Sequence, residues 1–246
     1  MKRFPNTVCI WSGRSIHPQG DGGEIAVFLS GIQNPSANAK TGPMLQTYIL
    51  ANNGRDPVTV ANDPRGAWRD ACGGCALAHA IGGACYVNLG QAPLSIWSAW
   101  NRGSVPHILP GQWSALLETI AGKPVRLGSY GDPAAVPLET WKLLLRGAPA
   151  WTGYTHAWEA LPKRHPLSRY CMASADRPDQ IPAAVARGWR AYTLAPDPAT
   201  VPDAIPCPHY TRGIACADCT LCSGSTIGAK SIAVRPHGAK ASRVFN

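Results

Sequence analysis

The feature that most constrains this chain is a group of four cysteines near its carboxyl end, at Cys207, Cys216, Cys219 and Cys222. The last three are each separated by two residues, a spacing that lets neighbouring thiolates turn onto one cation. Four sulfurs complete the tetrahedral shell of zinc, and the same ligands hold an iron–sulfur cluster. The alternatives are buried free thiols or disulfides, which need an oxidising compartment. We therefore expect a metal knuckle here, with zinc favoured over iron–sulfur.

A second cysteine group lies earlier in the chain. Cys72 and Cys75 enclose two glycines, which suits a tight turn around a metal, and Cys85 supplies a third sulfur. His79 is a candidate fourth ligand. A redox-active cysteine pair is the alternative, but such pairs usually open a helix, which two glycines disfavour. The spacing therefore favours a second metal site.

The composition is that of a basic globular protein. The chain has 246 residues and a formal net charge of +9 at pH 7, and its nine tryptophans can supply burial. A basic balance of this size makes a polyanion partner plausible, DNA before tRNA, and the alternative is a basic protein encoded by a high-GC genome. The chain opens on basic residues with no apolar segment after them, and no window reaches the roughly 18 apolar residues that span a bilayer. We expect a protein with no membrane contact, in the cytoplasm of a bacterial host cell.

Short apolar runs alternate with helical patterns along most of the chain. Strands are predicted at 24–29, 44–50, 125–127, 150–155, 169–173, 189–194 and 231–235, and helices at 93–102, 112–120, 138–145 and 180–186. Strands followed by polar residues and then by helices are typical of parallel α/β units. The tryptophans of the first helix are more typical of a core than of base stacking.

This rhythm predicts one α/β domain over residues 24–246, with the cysteine groups as metal-binding insertions near 72–85 and 207–222. The fold expected is a compact (β/α) barrel, complete or incomplete, with an open sheet as the alternative. Residues 1–23 are rich in Gly and Pro and are expected to be an irregular amino-terminal segment.

Polar side chains follow several of the predicted strands, and in either architecture they would meet beyond the strands' carboxyl ends. The candidate catalytic residues are Asp132, Asp176 and His156. Two carboxylates beside one pocket can divide the roles of nucleophile or base and of general acid. The alternatives are a turn role for Asp132, which precedes a proline, and a helix cap or an ion pair with Arg177 for Asp176.

Hydroxyl, aromatic and cationic side chains near the same strand ends can bind a heterocyclic substrate. The candidate substrate-binding residues are Tyr130, Thr152, Tyr154, Ser174 and Arg177, and both Tyr130 and Trp158 can stack on the heterocycle. Two basic groups, 163–165 and the pair Arg187 and Arg190, can contact phosphates, with a solvated surface as the alternative. The polar loop around Lys40 can also cradle a phosphate, although it lacks the spacing of a P-loop.

Several segments resemble motifs of a family of phage and prophage proteins. They are Val125–Asp132, Trp151–Thr155, Ser174–Asp176, Cys216–Gly224 and His237–Gly238, with Lys40–Gly42 and Cys85–Asn88 similar to that family's amino-terminal motifs. The resemblance covers most of the chain from about residue 24 onward and is most specific in the cysteine segments.

More distantly, the chain resembles the guanine transglycosylases, including phage enzymes that install deazaguanines in DNA. Those enzymes are (β/α) barrels with two catalytic aspartates and a zinc held by clustered cysteines and a late histidine. The resemblance implies that Asp132 and Asp176 are nucleophile and acid/base, that Cys216, Cys219 and Cys222 bind zinc, and that His237 is a further candidate ligand. The family's cysteine spacing begins C-x-C, unlike the x2 gaps here, and the group at 72–85 has no counterpart there.

The hypothesis that follows is a transferase that exchanges guanine for a deazaguanine base in phage DNA or tRNA, with a structural zinc. One alternative is an iron–sulfur enzyme that uses Cys72, Cys75 and Cys85. The other is a non-catalytic, metal-stabilised module that binds nucleic acid.

Overall fold

The computed structural model describes residues 4–225, 229–238 and 240–245. Across these ranges the strands form two five-stranded sheets. The strands are β1 Thr7–Arg14, β2 Glu24–Ser30, β3 Leu45–Ala51, β4 Val125–Tyr130, β5 Trp151–Thr152, β6 Tyr154–Thr155, β7 Met172–Ala175, β8 Ala191–Leu194, β9 Ala204–Pro206 and β10 Ser231–Val234. The helices are α1 Pro57–Ala61, α2 Arg69–Cys72, α3 Ala92–Asn101, α4 Trp113–Ile120, α5 Leu138–Leu145, α6 Ile181–Ala186, α7 Pro208–Arg212 and α8 Cys216–Cys219.

The first sheet has mixed topology, with the order β1-β2-β3-β4-β5. Strands β1, β2 and β3 pair antiparallel, with Val27 of β2 opposite Ile49 of β3. Strands β3, β4 and β5 then run parallel. Strand β2 is buried along nearly all its length, which is the reason its sequence is a continuous apolar run rather than an alternating one.

The second sheet is parallel throughout, with the order β6-β7-β8-β10-β9. Gly153 separates β5 from β6, so the chain crosses from one sheet to the other at this residue. A side chain could not be placed here, because a Cβ on Gly153 would lie 2.9 Å from both the Cys171 Sγ and the Tyr170 carbonyl oxygen. The close approach of these backbones therefore requires glycine.

One face of the sheets is covered by helices α4, α5 and α6. Their inward residues Leu116, Trp141 and Ile181 pack with strand residues such as Val27 and Leu127 in one buried cluster. The Trp141 indole also donates a hydrogen bond of 2.9 Å to the Pro133 carbonyl oxygen, which satisfies its polar atom in the core.

The opposite face is covered at one end by α3. Phe28 of β2 meets the edge of Trp100 with ring centroids 5.4 Å apart, and Ile96 and Trp97 pack beside them. The tryptophans of this helix therefore belong to the core, as the sequence indicated. Part of the remaining face is open and lines a cavity.

The predicted α/β class is confirmed, and each predicted strand and helix overlaps an observed one. The strand predicted at 169–173 begins later, at Met172, because 166–169 form a tight helical turn. Among the described residues no helix is long and apolar enough to cross a membrane.

Three expectations differ from the structure. Residues 1–23 are not irregular throughout, since β1 occupies Thr7–Arg14 and pairs with β2. The first three strands are antiparallel because β1, β2 and β3 are joined without crossover helices. No closed barrel forms in the described ranges, where β1 and β9 are outermost strands.

A substitution at Gly131 tests the packing that holds the carboxyl end of β4 in position. Its φ is +85°, and a Cβ would lie 2.5 Å from Ile49 Cβ. Gly122 is a matched control, because it has a φ of +78° with nothing within 4 Å of the added atom. Replacing Gly122 with Ala should cost about 1 kcal/mol of unfolding free energy. Gly131→Ala should cost at least about 1 kcal/mol more, because the neighbours must also move. Equal losses in urea denaturation would contradict this packing.

Candidate functional site

A cavity of about 520 Å³ lies across the open face of the two sheets. The strand residues that line it are Gln46, Tyr48, Arg126, Ser129, Tyr154, Ser174, Tyr192 and Leu194. Pairs such as Gln46 and Tyr48 are two residues apart, which places their side chains on one face of a strand. We expected the site beyond the strands' carboxyl ends. The cavity instead spans the sheet face and reaches strand ends at His156 and His237.

Two predicted catalytic residues meet at one end of this cavity. His156 follows β6 and Asp176 follows β7, and the His156 Nε2 lies 3.3 Å from an Asp176 carboxylate oxygen. The Cys75 thiol lies 3.9 Å from the same imidazole nitrogen. His156 lines the cavity, whereas Asp176 is not part of its lining. The Asp176 side chain is 29% exposed, so it stays accessible beside His156.

The electrostatics of this pair favour a protonated imidazole. Burial by itself lowers the pKa of His156, but Cys75 and Asp176 outweigh it and raise the pKa well above its ordinary value. A charged imidazole beside an ionised carboxylate can donate a proton to a leaving group while the carboxylate remains a nucleophile or base.

Asp132 occupies a different environment, although it also follows a strand. It is 5% exposed and does not line the cavity. Its two carboxylate oxygens accept hydrogen bonds from the Ala134 amide at 2.9 Å and the His156 amide at 2.7 Å. Burial would raise the pKa of Asp132, but His17, 3.8 Å away, and hydrogen bonds from the Ala134 amide and the Thr155 side chain lower it overall. This carboxylate holds the backbone of His156 in position.

The predicted substrate-binding residues divide between the cavity and its surroundings. Tyr154 and Ser174 line the cavity. Tyr130 is buried in a separate apolar cluster, and Thr152 is buried beside the carboxyl-end cysteines. The Arg177 side chain is exposed and pairs with Asp179 rather than with Asp176.

The stacking and phosphate-contact roles considered for other residues also differ from the structure. Trp158 is buried in the main core and donates its indole hydrogen bond to the Ser174 carbonyl. The Arg187 guanidinium donates to the carbonyls of Trp158, Glu159 and Leu161. Arg190 donates to those of Leu221, Gly224 and Lys230. Both arginines therefore bind the main chain and are not free for phosphates.

The sequence analysis missed Arg126, which lines the cavity from β4 and is 8% exposed. Its Nη2 donates a 2.7 Å hydrogen bond to the Tyr86 hydroxyl, and its guanidinium lies 5.6 Å from the centroid of the Tyr154 ring. The one available signal was an arginine inside an otherwise apolar strand, where a charge needs a specific partner.

Lys40 is the second cation of the cavity. Its ammonium lies within hydrogen-bonding distance of the Tyr192 hydroxyl at 3.4 Å, the Tyr210 hydroxyl at 3.2 Å and the His237 Nε2 at 3.3 Å. Burial, and then the neighbouring Arg126, lower the pKa of Lys40 to about 8. The loop that the sequence predicts as a phosphate contact therefore places its lysine at the cavity wall.

The amino-terminal cysteine group lies close to the cavity rim. Cys72 ends α2, Gly73 terminates that helix, and Cys75 follows. Burial, and then the charges of Cys75 and Cys85, raise the pKa of Cys72. His79 is engaged elsewhere, with Lys240 at 3.1 Å and the Val87 carbonyl at 3.3 Å on its two ring nitrogens.

The four carboxyl-end cysteines surround a small cavity of about 20 Å³. Burial raises the pKa of the Cys222 thiol, and the charges of Cys216, Cys207 and Cys219 raise it further. The resulting pKa is about 12. In the described ranges no three Cys, His, Asp or Glu side chains are arranged as a ready set of metal ligands. All nine cysteines are free thiols, so neither group is a pair of disulfides. His237 lies beside Lys40 in the larger cavity.

The carboxyl-end group also docks onto the loop that carries Lys40. The Cys216 amide donates to the Lys40 carbonyl at 2.8 Å, and the Ala217 amide donates to the Thr41 carbonyl at 3.0 Å. Lys40 lines both cavities, whereas Arg126 lines only the larger one. The position of Lys40 therefore depends on the folding of this cysteine segment.

Substitutions of Asp132 and Asp176 test whether the first carboxylate is structural and the second is an accessible group. Asp132→Asn should cost about 1–3 kcal/mol of unfolding free energy, because its amide nitrogen would face a backbone N–H that needs an acceptor. Asp176→Asn should change stability by less than about 0.5 kcal/mol. The folded-state pKa of Asp132 is depressed, so its stabilisation is present above about pH 4 and is lost as pH falls through the folded-state value. Urea denaturation from pH 7 to pH 3 should show this loss in the wild type and a weaker one in Asp132→Asn. Equal stability of the two variants would contradict this assignment.

A comparison with protein-family models found no match, and neither did comparisons with curated proteins and with solved structures.

Proposed function

We propose that the protein is a nucleic-acid-modifying enzyme that exchanges a purine base for a deazaguanine, in phage DNA or in tRNA. The observation that carries this proposal is the contact between His156 and Asp176 at the wall of a cavity of about 520 Å³. The volume is in the range of small-molecule sites, and the cavity is lined by aromatic rings and by hydrogen-bonding groups.

The cavity walls are suited to a planar heterocycle. Tyr154 and Tyr192 have ring centroids 4.5 Å apart, and Tyr86 and His237 form a second close pair at 5.1 Å. Base–aromatic stacking contributes about 1–3 kcal/mol per base and tolerates different bases. At the same wall the Ser129 hydroxyl donates to the Gln46 side-chain oxygen, and the Ser129 oxygen can still accept a hydrogen bond from the edge of a base.

In the proposed reaction Asp176 is the nucleophile and His156 the acid and base. The Asp176 carboxylate attacks the anomeric carbon, a C–O bond forms, the glycosidic C–N bond breaks, and protonated His156 gives its proton to the departing base. The incoming base then loses a proton to His156 and attacks the same carbon, which breaks the C–O bond and restores the carboxylate. Asp132 acts as a positioning residue, because its carboxylate holds the His156 amide.

Other features support the wider proposal. The parallel order of β3, β4 and β5 and of the second sheet, with helices on one face and a cavity on the other, favours an incomplete (β/α) barrel. The net charge of +9 suits a polyanionic substrate. An enzyme acting on phage DNA or tRNA would work in the cytoplasm of the bacterial host cell.

We further propose that Cys207, Cys216, Cys219 and Cys222 bind a structural zinc. The four side chains line one small cavity, and thiolates are preferred zinc ligands. Zinc would bind sulfurs that otherwise raise one another's pKa. It would also stabilise the segment whose amides hold the Lys40 loop.

A second candidate function is that of an iron–sulfur enzyme. It is favoured by the position of Cys75, whose thiol lies 3.9 Å from His156 at the cavity, and by the charges of Cys75 and Cys85, which act on Cys72. Three thiolates can hold a cluster that leaves one iron open to a ligand.

Base exchange is tested with Asp176→Asn. Incorporation of labelled guanine or deazaguanine into DNA and tRNA should fall at least about 10³-fold, because the nucleophile is lost. Asp179→Asn is the matched control, since this exposed carboxylate nearby pairs only with Arg177, and its activity should equal the wild type. Exchange that survives in Asp176→Asn would refute the mechanism, and a wild type that exchanges no base in either substrate would refute the function.

Metal analysis distinguishes the base-exchange enzyme with a structural zinc from the iron–sulfur enzyme. Protein purified without added metal should contain about one zinc per chain, and Cys219→Ser should lose it together with several kcal/mol of stability. Cys85→Ser should keep that zinc. Iron with visible absorbance that disappears in Cys85→Ser would instead favour the iron–sulfur enzyme. Metal-free wild-type protein with an unchanged melting temperature after chelation would exclude both centres.

A further inference from the structure

Arg126 is a buried cation, and no carboxylate in the described part of the chain is paired with it. It lies in β4 between Gln46 of β3 and Thr152 of β5, and its hydrogen-bonding partner in the cavity is the Tyr86 hydroxyl. A guanidinium has five N–H donors and stays charged at any ordinary pH. Burying such a charge without an anion is costly, so the position calls for a negatively charged partner.

Lys40 adds a second positive charge to the same wall. Its ammonium contacts the hydroxyls of Tyr192 and Tyr210 and the ring of His237, and none of these is an acid at neutral pH. Among the described residues that line the cavity there is no aspartate or glutamate. The cavity therefore concentrates positive charge, phenol hydroxyls and aromatic rings in one place.

The carboxyl-end cysteines are the nearest alternative partners of these cations, and Cys216 interacts electrostatically with both Lys40 and Arg126. Lys40 lines their small cavity as well as the large one, so it can serve both. Arg126 does not line the small cavity, and its guanidinium is directed to Tyr86 and Tyr154 in the large one. The charge of Arg126 is therefore available to a ligand in the large cavity.

We propose that this cavity is a nucleotide site in which Arg126 and Lys40 bind a phosphate group while the tyrosines hold the attached nucleoside. Arginine binds phosphate through two parallel hydrogen bonds, and lysine adds a point charge. The hydroxyls of Tyr86 and Tyr210 can donate to the remaining oxygens. The inference deepens the proposed function, because the same cavity would hold the substrate, and it specifies a phosphate recognised together with its base.

The phosphate can belong to a free mononucleotide or to a nucleic-acid strand. Isothermal titration calorimetry with GMP, guanosine and a single-stranded DNA hexamer distinguishes these sources. We expect guanosine to bind at least about tenfold more weakly than the preferred phosphate-bearing ligand, because it lacks the charge-assisted hydrogen bonds. Tighter binding of GMP identifies a free nucleotide, and tighter binding of the hexamer identifies a strand phosphate.

Substitutions then test whether Arg126 and Lys40 bind the phosphate. Arg126→Met and Lys40→Gln should each weaken the preferred phosphate-bearing ligand at least about tenfold and leave guanosine binding unchanged within about threefold. Arg126→Lys keeps the charge but loses the planar fork, so it should fall between Arg126→Met and the wild type. Arg102→Gln is the control, because it removes an exposed arginine that does not line the cavity, and it should bind like the wild type.

Folding is checked separately by circular dichroism and thermal denaturation. Lys40 lies in a loop, so Lys40→Gln should remain folded even if Arg126→Met does not. Phosphate-dependent binding that is unchanged in folded Lys40→Gln and Arg126→Lys, or equal affinities for GMP, hexamer and guanosine, would overturn the inference. Arg126-dependent binding without any base exchange would retain the nucleotide site and reject the proposed reaction.

Discussion

The backbone crossing at Gly153 is the constraint on which the site depends. It joins the two sheets through β5 and β6, and the helices α4, α5 and α6 pack in one core against strands of both sheets. The other face is left to α3 at one end and to the cavity over the rest. The same crossing delivers Tyr154 to the cavity wall and His156 to its end, so the backbone at one glycine orders both the walls and the reactive pair.

Charge within the cavity depends on parts of the chain that are far apart in sequence. Arg126 comes from the middle of a sheet, and Lys40 comes from a loop whose carbonyls accept the amides of Cys216 and Ala217. Arg190 ties the same cysteine segment to the second sheet through the carbonyls of Leu221, Gly224 and Lys230. A structural zinc in that segment would therefore brace a cavity wall without touching the ligand.

Much of the secondary structure could be predicted because its signals are local. The apolar runs at β2 and β3, and the helical pattern at α5, are legible from a few consecutive residues. Strand β1 was missed because its sequence includes Gly13 and the flanking segment is rich in glycine and proline. Its stability comes from pairing with β2, which no local pattern reports.

The sequence by itself determined the α/β class, the order of the strands other than β1 and β9, and the clustering of the carboxyl-end thiols, since spacing and periodicity are properties of neighbouring residues. Only the tertiary structure decided that Asp132 is enclosed by backbone amides while Asp176 stays accessible beside His156. It also decided that Arg126 faces the cavity. Those outcomes depend on which strands pair and on which face the helices cover. The burial of each charge is set by this long-range packing and not by the identity of the residue.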